Sequence, residues 1–288
     1  MLAIRPTLFA AVVAGAVAIT SGCASADASD SMEKSAKRMD GSSKRVLQTI
    51  ADGDHRSDKN RARNASRNPA ETLSFFGIQP NMTVVEIAPG GGWYTEILAP
   101  YLKQDGVYYA GHYDPNHERE YFRTSVGRYS DKLAANPKLY GAVKLTVFSP
   151  PDTMDAAPDG SADMVVTFRN THGWMRNGSQ DAVFSAMHRY LKPGGILGVV
   201  QHRGDASKPQ DPKAASGYVR QDEMIKMAEK AGFKLVATSE INANPKDTAD
   251  HPKGVWNLPP GYRDGDENRA RYAAIGESDR MTLKFVKQ

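Results

Sequence analysis

The sequence predicts an α/β fold: a doubly wound, seven-stranded, mostly parallel sheet with helices on both faces and an antiparallel last strand. Two observations predict this fold. From Gly77 to the C-terminal end, short apolar runs alternate with amphipathic segments, as strands and helices do in such a sheet. The early apolar runs are continuous rather than alternating, as expected of parallel strands buried on both faces.

Residues 1–26 lie outside this fold and have the composition of an export signal. Arg5 precedes an apolar run from Thr7 to Ile19, which is shorter than the ~20 residues that span a membrane. Two cleavage interpretations are open. "TSGC" resembles a bacterial lipobox, which would make Cys23 the lipidated first residue, whereas "ASA" at 24–26 fits ordinary signal cleavage.

We therefore expect an exported, periplasmic protein, attached to the outer membrane if Cys23 is lipidated. Cys23 is the only cysteine, so the mature body has no cysteine-built zinc site and no thiol nucleophile. Residues 27–45 are small, polar and charged, and they are predicted to form a flexible tether. Residues 46–288 are predicted to form a single domain.

Residues 46–76 have helical patterning and are predicted to form one or two leading helices. Basic side chains crowd this segment: Arg56, Lys59, Arg61, Arg63 and Arg67. Two interpretations are open, a solvated helix face or the basic rim of a site. The net charge of +4 is too small to indicate a nucleic-acid partner.

The elements of the sheet follow in order. The predicted strands cover 83–87, 107–112, 143–148, 163–168, 196–202, 233–241 and 281–286. Ser179 is a predicted N-cap, and Gly232 is predicted to end the helix before the sixth strand. The long connection 242–280 is predicted to be an insertion with two open interpretations. It either closes over the acceptor site, with Trp256 and Tyr262 as packing anchors, or forms an ordered surface excursion.

Three consecutive glycines, Gly90 to Gly92, follow the first strand and precede a helix. Glycine allows a positive φ and lets a ligand approach the backbone, and the helix start adds amide donors. In an open α/β sheet this position lies where ligands bind. The dinucleotide fingerprint needs a small residue where Thr95 stands, which argues against NAD.

The pattern E-x-A-x-G-x-G, carried by Glu86, Ala88, Gly90 and Gly92, resembles the first motif of class I S-adenosylmethionine-dependent methyltransferases. Ala88 stands where that family usually has glycine. "YLKPGGILGVV" at 190–200 resembles the turn before the family's fifth strand. "PGGGWYTE", "FRNTH" and the final "LKF" are most similar to a group of predicted secreted bacterial methyltransferases.

This resemblance implies S-adenosylmethionine as the cofactor. The residues implied to bind it are Glu86, Ala88, Gly90, Gly91, Gly92, Asp114 and Arg169. The family places an acid after the second strand to accept hydrogen bonds from the ribose hydroxyls, and Asp114 is the candidate. The alternative is that Asp114 opens a turn, "DPN", without a ligand.

Candidate catalytic residues follow two strands. His172 is the first candidate base, since the ordinary pKa of histidine suits proton transfer, and Asn170 is a candidate for orienting the substrate. The alternative is that both cap the strand–helix turn. His202 is a second candidate base and Arg203 a candidate for binding an anionic substrate group, unless both form a solvated strand end.

The expected activity is methyl transfer from S-adenosylmethionine to a small-molecule or cell-envelope acceptor. The alternative is an exported, non-catalytic binding protein on the same fold, because this cofactor is made in the cytoplasm. The seven histidines show no H-E-x-x-H spacing, so no metal is predicted.

Overall fold

The structure, a computed structural model, describes Met1 and residues 41–288. The rest of the predicted export signal, including Cys23, and tether residues 27–40 lie outside the described residues. Asp40–Gln288 forms one compact unit. Within residues 41–288, no helix combines the length and apolar character needed to cross a membrane.

Within residues 41–288, four short helices precede the sheet. They are α1 over residues 41–51, α2 Asp58–Arg61, α3 Asn64–Arg67 and α4 Pro69–Phe76. Leu47 and Ala51 lie one helical turn apart and are fully buried, so α1 packs on the core. The predicted tether is therefore wrong for residues 41–45, which are helical.

Eight strands form one sheet in the order β4-β3-β2-β1-β5-β6-β8-β7. Strands β3, β2, β1, β5 and β6 run parallel, and β8 is antiparallel to both of its neighbours. The strands are β1 Thr83–Ile87, β2 Val107–His112, β3 Lys144–Ser149, β4 Thr153–Met154, β5 Ala162–Phe168, β6 Leu191–His202, β7 Phe233–Ser239 and β8 Arg280–Lys287.

The predicted fold class is confirmed. Several strand ends differ from the prediction by one or two residues, and two differences are larger. The eighth strand, β4, was missed because two residues are too short to show any hydrophobic pattern. Strand β6 begins at Leu191 rather than at residue 196, because Leu191 already pairs with Ala162 of β5 before a register shift. The "KPGG" turn lies within this irregular start.

Seven further helices alternate with the strands. They are α5 Thr95–Leu102, α6 Glu120–Ala135, α7 Pro137–Tyr140, α8 Thr171–Asn177, α9 Gln180–Tyr190, α10 Gln221–Lys230 and α11 Arg269–Ile275. Ser179 precedes α9 as predicted, but its side chain makes no capping hydrogen bond. Gly232 follows α10 with φ +94° and donates to the carbonyl of Glu229 at 2.9 Å, as predicted.

Two hydrophobic clusters cover the two faces of the sheet. Along β1, Val84 packs into the cluster that includes α1, α4 and α5, and Val85 packs into the cluster that includes α8 to α10. Helix α4 lies very close to the sheet, because a Cβ on Gly198 of β6 would meet the ring of Phe76 at 2.6 Å. This close packing fixes the position of α3, which immediately precedes α4.

Candidate ligand-binding site

Most of the site residues predicted from the sequence lie at one edge of the sheet. The parallel strands β1, β2, β5 and β6 all end there, and antiparallel β8 begins there, since His202 pairs with Arg280. Five residues at or next to these strand ends therefore lie along the same edge: Ala88, His112, Arg169, His202 and Arg280. In open α/β sheets this edge is where ligands bind.

The glycine loop leaves β1 in a conformation that most residues avoid. Ala88, Gly90 and Gly92 have φ of +56°, +58° and +74°. A Cβ placed on Gly90 or Gly91 would meet no atom within 4 Å, so both face open space. Their amide groups donate to no acceptor within residues 41–288. The loop therefore presents an open surface with free N–H donors.

The carbonyl groups of the same loop are held by side chains that the sequence analysis missed. His112 Nε2 donates to the carbonyl of Gly90 at 3.0 Å, while its Nδ1 accepts from the amide of Tyr113 at 2.8 Å. Lys132 Nζ donates to the carbonyls of Gly91 and Gly92 at 3.0 and 3.2 Å. The one available signal was the position of His112 at the end of β2.

Glu86 lies beneath the loop rather than on its open surface. Its side chain is buried and accepts hydrogen bonds from the hydroxyls of Tyr108 and Thr95. Burial raises the pKa of Glu86 to about 7. Glu86 therefore ties β1 to β2 and α5, and it supports the loop from inside the protein.

Asp114 forms a turn and also lines a cavity. Its Oδ1 accepts from the amide of Asn116 at 2.7 Å, the geometry of an Asx turn. The cavity of about 260 Å³ lies at the ends of β2 and β3 and includes His117, Ser149 and Asp152. A larger cavity of about 550 Å³ lies between Gly91 and the N-terminal half of α6. Both cavities lie on the β1–β2–β3 half of the edge.

Asn170 binds the two central strands to each other. Its Nδ2 donates to the carbonyls of Ile87 and Ala88 at 3.0 and 3.2 Å and to Thr167 Oγ1 at 3.0 Å. These contacts fix the point where β1 enters the glycine loop. The side-chain nitrogen of Asn170 is thus used within the protein, but it joins two strands and does not cap α8, which was the alternative drawn from the sequence.

The two candidate bases, His172 and His202, lie side by side with ring centroids 5.6 Å apart. Gln201 Nε2 donates to the carbonyl of Gly217 at 3.0 Å and lies 3.3 Å from His172 Nδ1, so that ring nitrogen acts as acceptor. His202 Nδ1 lies 2.5 Å from Ser278 Oγ.

Both histidines are neutral at pH 7. Burial, followed by the charge of Arg176, lowers the pKa of His172 to about 4. Burial also lowers the pKa of His202 well below its ordinary value. In its neutral form His172 carries its hydrogen on Nε2, so it presents a donor rather than the free base that the sequence suggested.

Comparison with solved structures supports this architecture, although two other comparisons found no match. No family profile and no curated protein matches the sequence. Among solved structures, an S-adenosylmethionine-dependent methyltransferase from Aquifex aeolicus is similar, with a TM-score of 0.52, 16% identity, and coverage of 79% of this chain and 93% of that chain. The chain has the methyltransferase fold.

Two further structures with this methyltransferase fold carry different functions. The [4+2]-cyclase SpnF has a TM-score of 0.51 and 16% identity over 77% of this chain and 80% of that chain. The O-methyltransferase NcsB1 of neocarzinostatin biosynthesis, solved with S-adenosylmethionine and 2-hydroxy-5-methyl naphthoic acid, has a TM-score of 0.50 and 14% identity over 80% and 55%. The methyltransferase fold alone therefore does not specify the reaction.

The guanidinium of Arg203 is not available to bind a substrate, because it is already paired with two carboxylates. Its guanidinium donates to both oxygens of Glu240 at 2.7 Å and to both oxygens of Asp279 at 2.8 and 3.0 Å. The prediction that Arg203 binds an anionic substrate group is wrong, because two carboxylates already occupy its donors.

The long connection before β8 contacts the site through one of its two predicted anchors. Trp256, in a 3₁₀ helix at Gly254–Asn257, packs edge-on against His172 with ring centroids 5.8 Å apart. Tyr262 instead contacts Arg269 of the same connection, with the guanidinium 4.1 Å from the ring centroid. Trp256 therefore forms a wall beside the histidine pair.

The basic segment 56–67 is a solvated helix face only in part, at Lys59 and Arg61. Arg56 and Arg67 are only 1% and 4% exposed, and their guanidinium groups lie over Trp93 at 4.5 and 4.7 Å from a ring centroid. Arg63 and Arg67 reach Glu277 at 2.6 and 3.4 Å. The other interpretation of this segment, the basic rim of a site, fits Arg63 and Arg67, which border the ligand-binding edge of the sheet.

No metal site accompanies these residues. Within residues 41–288, no three His, Cys, Asp or Glu side chains lie close enough together to hold an ion. The chemistry of the site rests on backbone amides, histidines and arginines.

Proposed function

We propose that the protein transfers a methyl group from S-adenosylmethionine to a small-molecule or cell-envelope acceptor. The observation that carries this proposal is the open glycine loop, with unshielded backbone at Gly90 and Gly91 and amide donors that the protein leaves free. The cofactor bound to NcsB1, which has the same fold, supports the choice of ligand.

The residues of the edge fit such a cofactor. Gly90 and Gly91 would hold it without steric interference, and Ala88 lies at the turn that leads into them. Asp114, on the wall of the 260 Å³ cavity, is the proposed acceptor for the ribose hydroxyls. Glu86 acts indirectly, by holding the loop from below.

The chain's own contribution to the reaction is positioning. When bound, S-adenosylmethionine supplies an electrophilic methyl group on a sulfonium, and its transfer leaves a neutral thioether. The neutral His172 and His202 can orient an acceptor hydroxyl or amine, and His202 is the proposed proton acceptor because Gln201 occupies His172 Nδ1. Trp256 shields this corner from water.

We also propose that the protein is exported to the periplasm and belongs with the secreted bacterial methyltransferases that it resembles. The apolar N-terminal run and the "TSGC" sequence support export, and lipidation of Cys23 would attach the protein to a membrane. An exported protein that binds the cofactor without turning it over is the alternative within the same fold.

Titration calorimetry with S-adenosylmethionine and S-adenosylhomocysteine tests the cofactor proposal. We expect both to bind the wild-type protein and Gly91→Leu to weaken binding at least tenfold, because the new side chain would occupy the open space over the loop. Gly127→Leu is the matched control, since Gly127 is exposed on α6 and a Cβ there also meets nothing within 4 Å.

The control variant should bind as the wild-type protein does. Absence of heat with both compounds in well-folded wild-type protein would contradict the proposal, as would unchanged binding by Gly91→Leu. Binding without methyl transfer to any offered acceptor would favour the non-catalytic alternative.

A further inference from the structure

Three arginines contact one carboxylate beside the histidine pair, and a fourth arginine lies at the same edge of the sheet. Arg63 of the α2–α3 junction, Arg67 of α3 and Arg280 of β8 all contact Glu277, and Arg169 follows β5 at the same edge. We call Arg63, Arg67, Arg169 and Arg280 the arginine cluster. Glu277 is the one carboxylate among the charges that act most strongly on Arg67 and Arg169.

The hydrogen-bonding capacity of the cluster is incompletely used. Arg280 is only 3% exposed, and its Nε is buried without a partner among the described residues. The guanidinium of Arg169 makes no hydrogen bond to any residue within 41–288, although the charges of Arg280 and Arg63 act on it. The Nε of Arg280 is thus a buried donor without an acceptor, which is costly in a stable protein, whereas Arg169 is half-buried.

The pKa values of Arg67 and Arg169 are both lowered within the cluster. Burial, followed by repulsion from Arg169, lowers the pKa of Arg67 to about 8. Burial, followed by repulsion from Arg280, lowers the pKa of Arg169 to about 10. Burial is the larger cause in both cases, and repulsion between neighbouring arginines adds to it, as expected where several positive groups lie close together.

Arg169 is also held in a conformation that favours glycine. Its φ is +63°, a left-handed conformation that is unusual for a long side chain and is energetically unfavourable. The amide of Arg169 donates to the carbonyl of Val200 at 2.7 Å, which locks this conformation at the junction of β5 and β6. An unpaired, strained arginine at a ligand-binding edge indicates function rather than stability.

The cluster lies on the side of the edge opposite the two cavities. Its members flank His202, whose paired residue in the sheet is Arg280, and the charges of Arg280, Arg169 and Arg67 all act on His202. The cavities at Gly91 and Asp114 lie on the β1–β2–β3 half. Arg67 also borders the glycine loop, because its guanidinium lies over Trp93. The cluster therefore lies between the proposed proton acceptor and that loop.

We propose that the arginine cluster is the receptor for an anionic group, a carboxylate or a phosphate, on the methyl acceptor. This inference rests on the proposed function and narrows its substrate class to anionic molecules. The resemblance implied that Arg169 binds the cofactor, whereas this proposal assigns it to the acceptor. Arg169 supplies the free guanidinium, and Arg67 and Arg280 supply the surrounding positive field.

The first test uses inorganic phosphate as the probe and does not involve the cofactor. At constant ionic strength, phosphate should raise the melting temperature of the wild-type protein relative to chloride. Arg169→Gln should weaken phosphate binding at least tenfold and should leave the melting temperature in chloride unchanged or higher, because it removes an unpaired, repelled charge. Arg45→Gln, on the exposed face of α1, is the control and should behave as the wild type.

The proposal is overturned if phosphate binds Arg169→Gln as well as it binds the wild-type protein, or if neither protein responds to phosphate. Loss of stability in chloride would show instead that Arg169 is a structural residue. This outcome is independent of whether S-adenosylhomocysteine binds, so it is distinguishable from failure of the proposed function.

The second test distinguishes an acceptor anion from the carboxylate of the cofactor itself. The probes are S-adenosylhomocysteine and 5′-methylthioadenosine, which lacks the amino-acid part. We expect Arg169→Gln to change the affinity for the two compounds equally, by less than threefold. Selective weakening of S-adenosylhomocysteine would assign the cluster to the cofactor carboxylate and overturn the acceptor assignment.

Discussion

Replacing Glu277 by glutamine is expected to lower the free energy of unfolding by about 3–5 kcal/mol at pH 7, the cost of removing one partner from a buried ionic group. Glu277 is only 8% exposed and accepts from Arg63, Arg67 and Arg280. Without it, the arginine cluster would keep its positive charges and lose the one carboxylate that contacts it among residues 41–288. Urea unfolding in a chloride buffer measures the loss.

The effect of Glu277 should depend on pH in a defined direction. Burial by itself would raise the pKa of Glu277, but Arg280, Arg63 and Arg67 lower it to about 2 from an ordinary value of 4.5. The unfolded chain therefore takes up the proton first, and the stabilisation is fully present above about pH 4.5 and is lost as the pH falls towards 2. A pKa difference of this size corresponds to about 3 kcal/mol.

Glu240→Gln is the matched control for this experiment. The side chain of Glu240 is 66% exposed and pairs with Arg203 at 2.7 Å, so its loss should cost less than about 1 kcal/mol. Equal effects of the two substitutions would show that Glu277 is not the counter-charge of the arginine cluster. So would an unchanged difference between wild type and Glu277→Gln from pH 7 to pH 3.

Replacing Arg56 by methionine is the second substitution with a large expected effect, again about 3–5 kcal/mol. Arg56 is 1% exposed, and its guanidinium donates to Glu96 at 3.1 Å, to Asn64 at 2.8 Å and to the carbonyl of Ala51. These contacts join α1 and the α2–α3 region to α5, directly after the glycine loop. Methionine keeps much of the volume and removes every one of these bonds.

Arg61→Met applies the same chemical change at a solvated position. Arg61 pairs with Asp54 and Asp58, whose side chains are 104% and 93% exposed, so we expect a loss below about 1 kcal/mol. Thermal unfolding of the two variants side by side gives the comparison. A loss for Arg56→Met no larger than that for Arg61→Met would contradict the assignment of Arg56 as an interior anchor.

The fold could be predicted from the sequence because periodic burial leaves a direct trace in the residue pattern. β1 and β2 are buried on both faces, so each appears in the sequence as an apolar run. The bounds predicted from these runs are those that the structure shows. β4 leaves no such trace, since a two-residue strand depends on its partner β3 for its conformation. The irregular start of β6 at Leu191 likewise depends on pairing with β5.

The site could be predicted only where backbone chemistry fixes it. The glycine loop was visible because Gly90 and Gly91 follow a strand and precede a helix. The role of His112 was not visible, since its contact with the carbonyl of Gly90 joins residues from different strands. Nothing local to Arg203 shows that Glu240 and Asp279 occupy its donors.

Charge patterning was the least informative signal. Arg56 and Arg61 are five positions apart in one basic segment, yet one is buried in the interior and the other pairs with exposed carboxylates. The difference arises from Glu96 of α5, which lies far along the chain. Local composition indicates how many charges a segment has but not which of them will find a buried partner.

A crystal structure of the protein soaked with S-adenosylhomocysteine tests the proposed cofactor site most directly. We expect density for the ligand along the open surface of Gly90 and Gly91, with its ribose near Asp114 and the arginine cluster free for an acceptor. Clear density for the ligand elsewhere, or an unliganded glycine loop at saturating concentration, would contradict the proposed function.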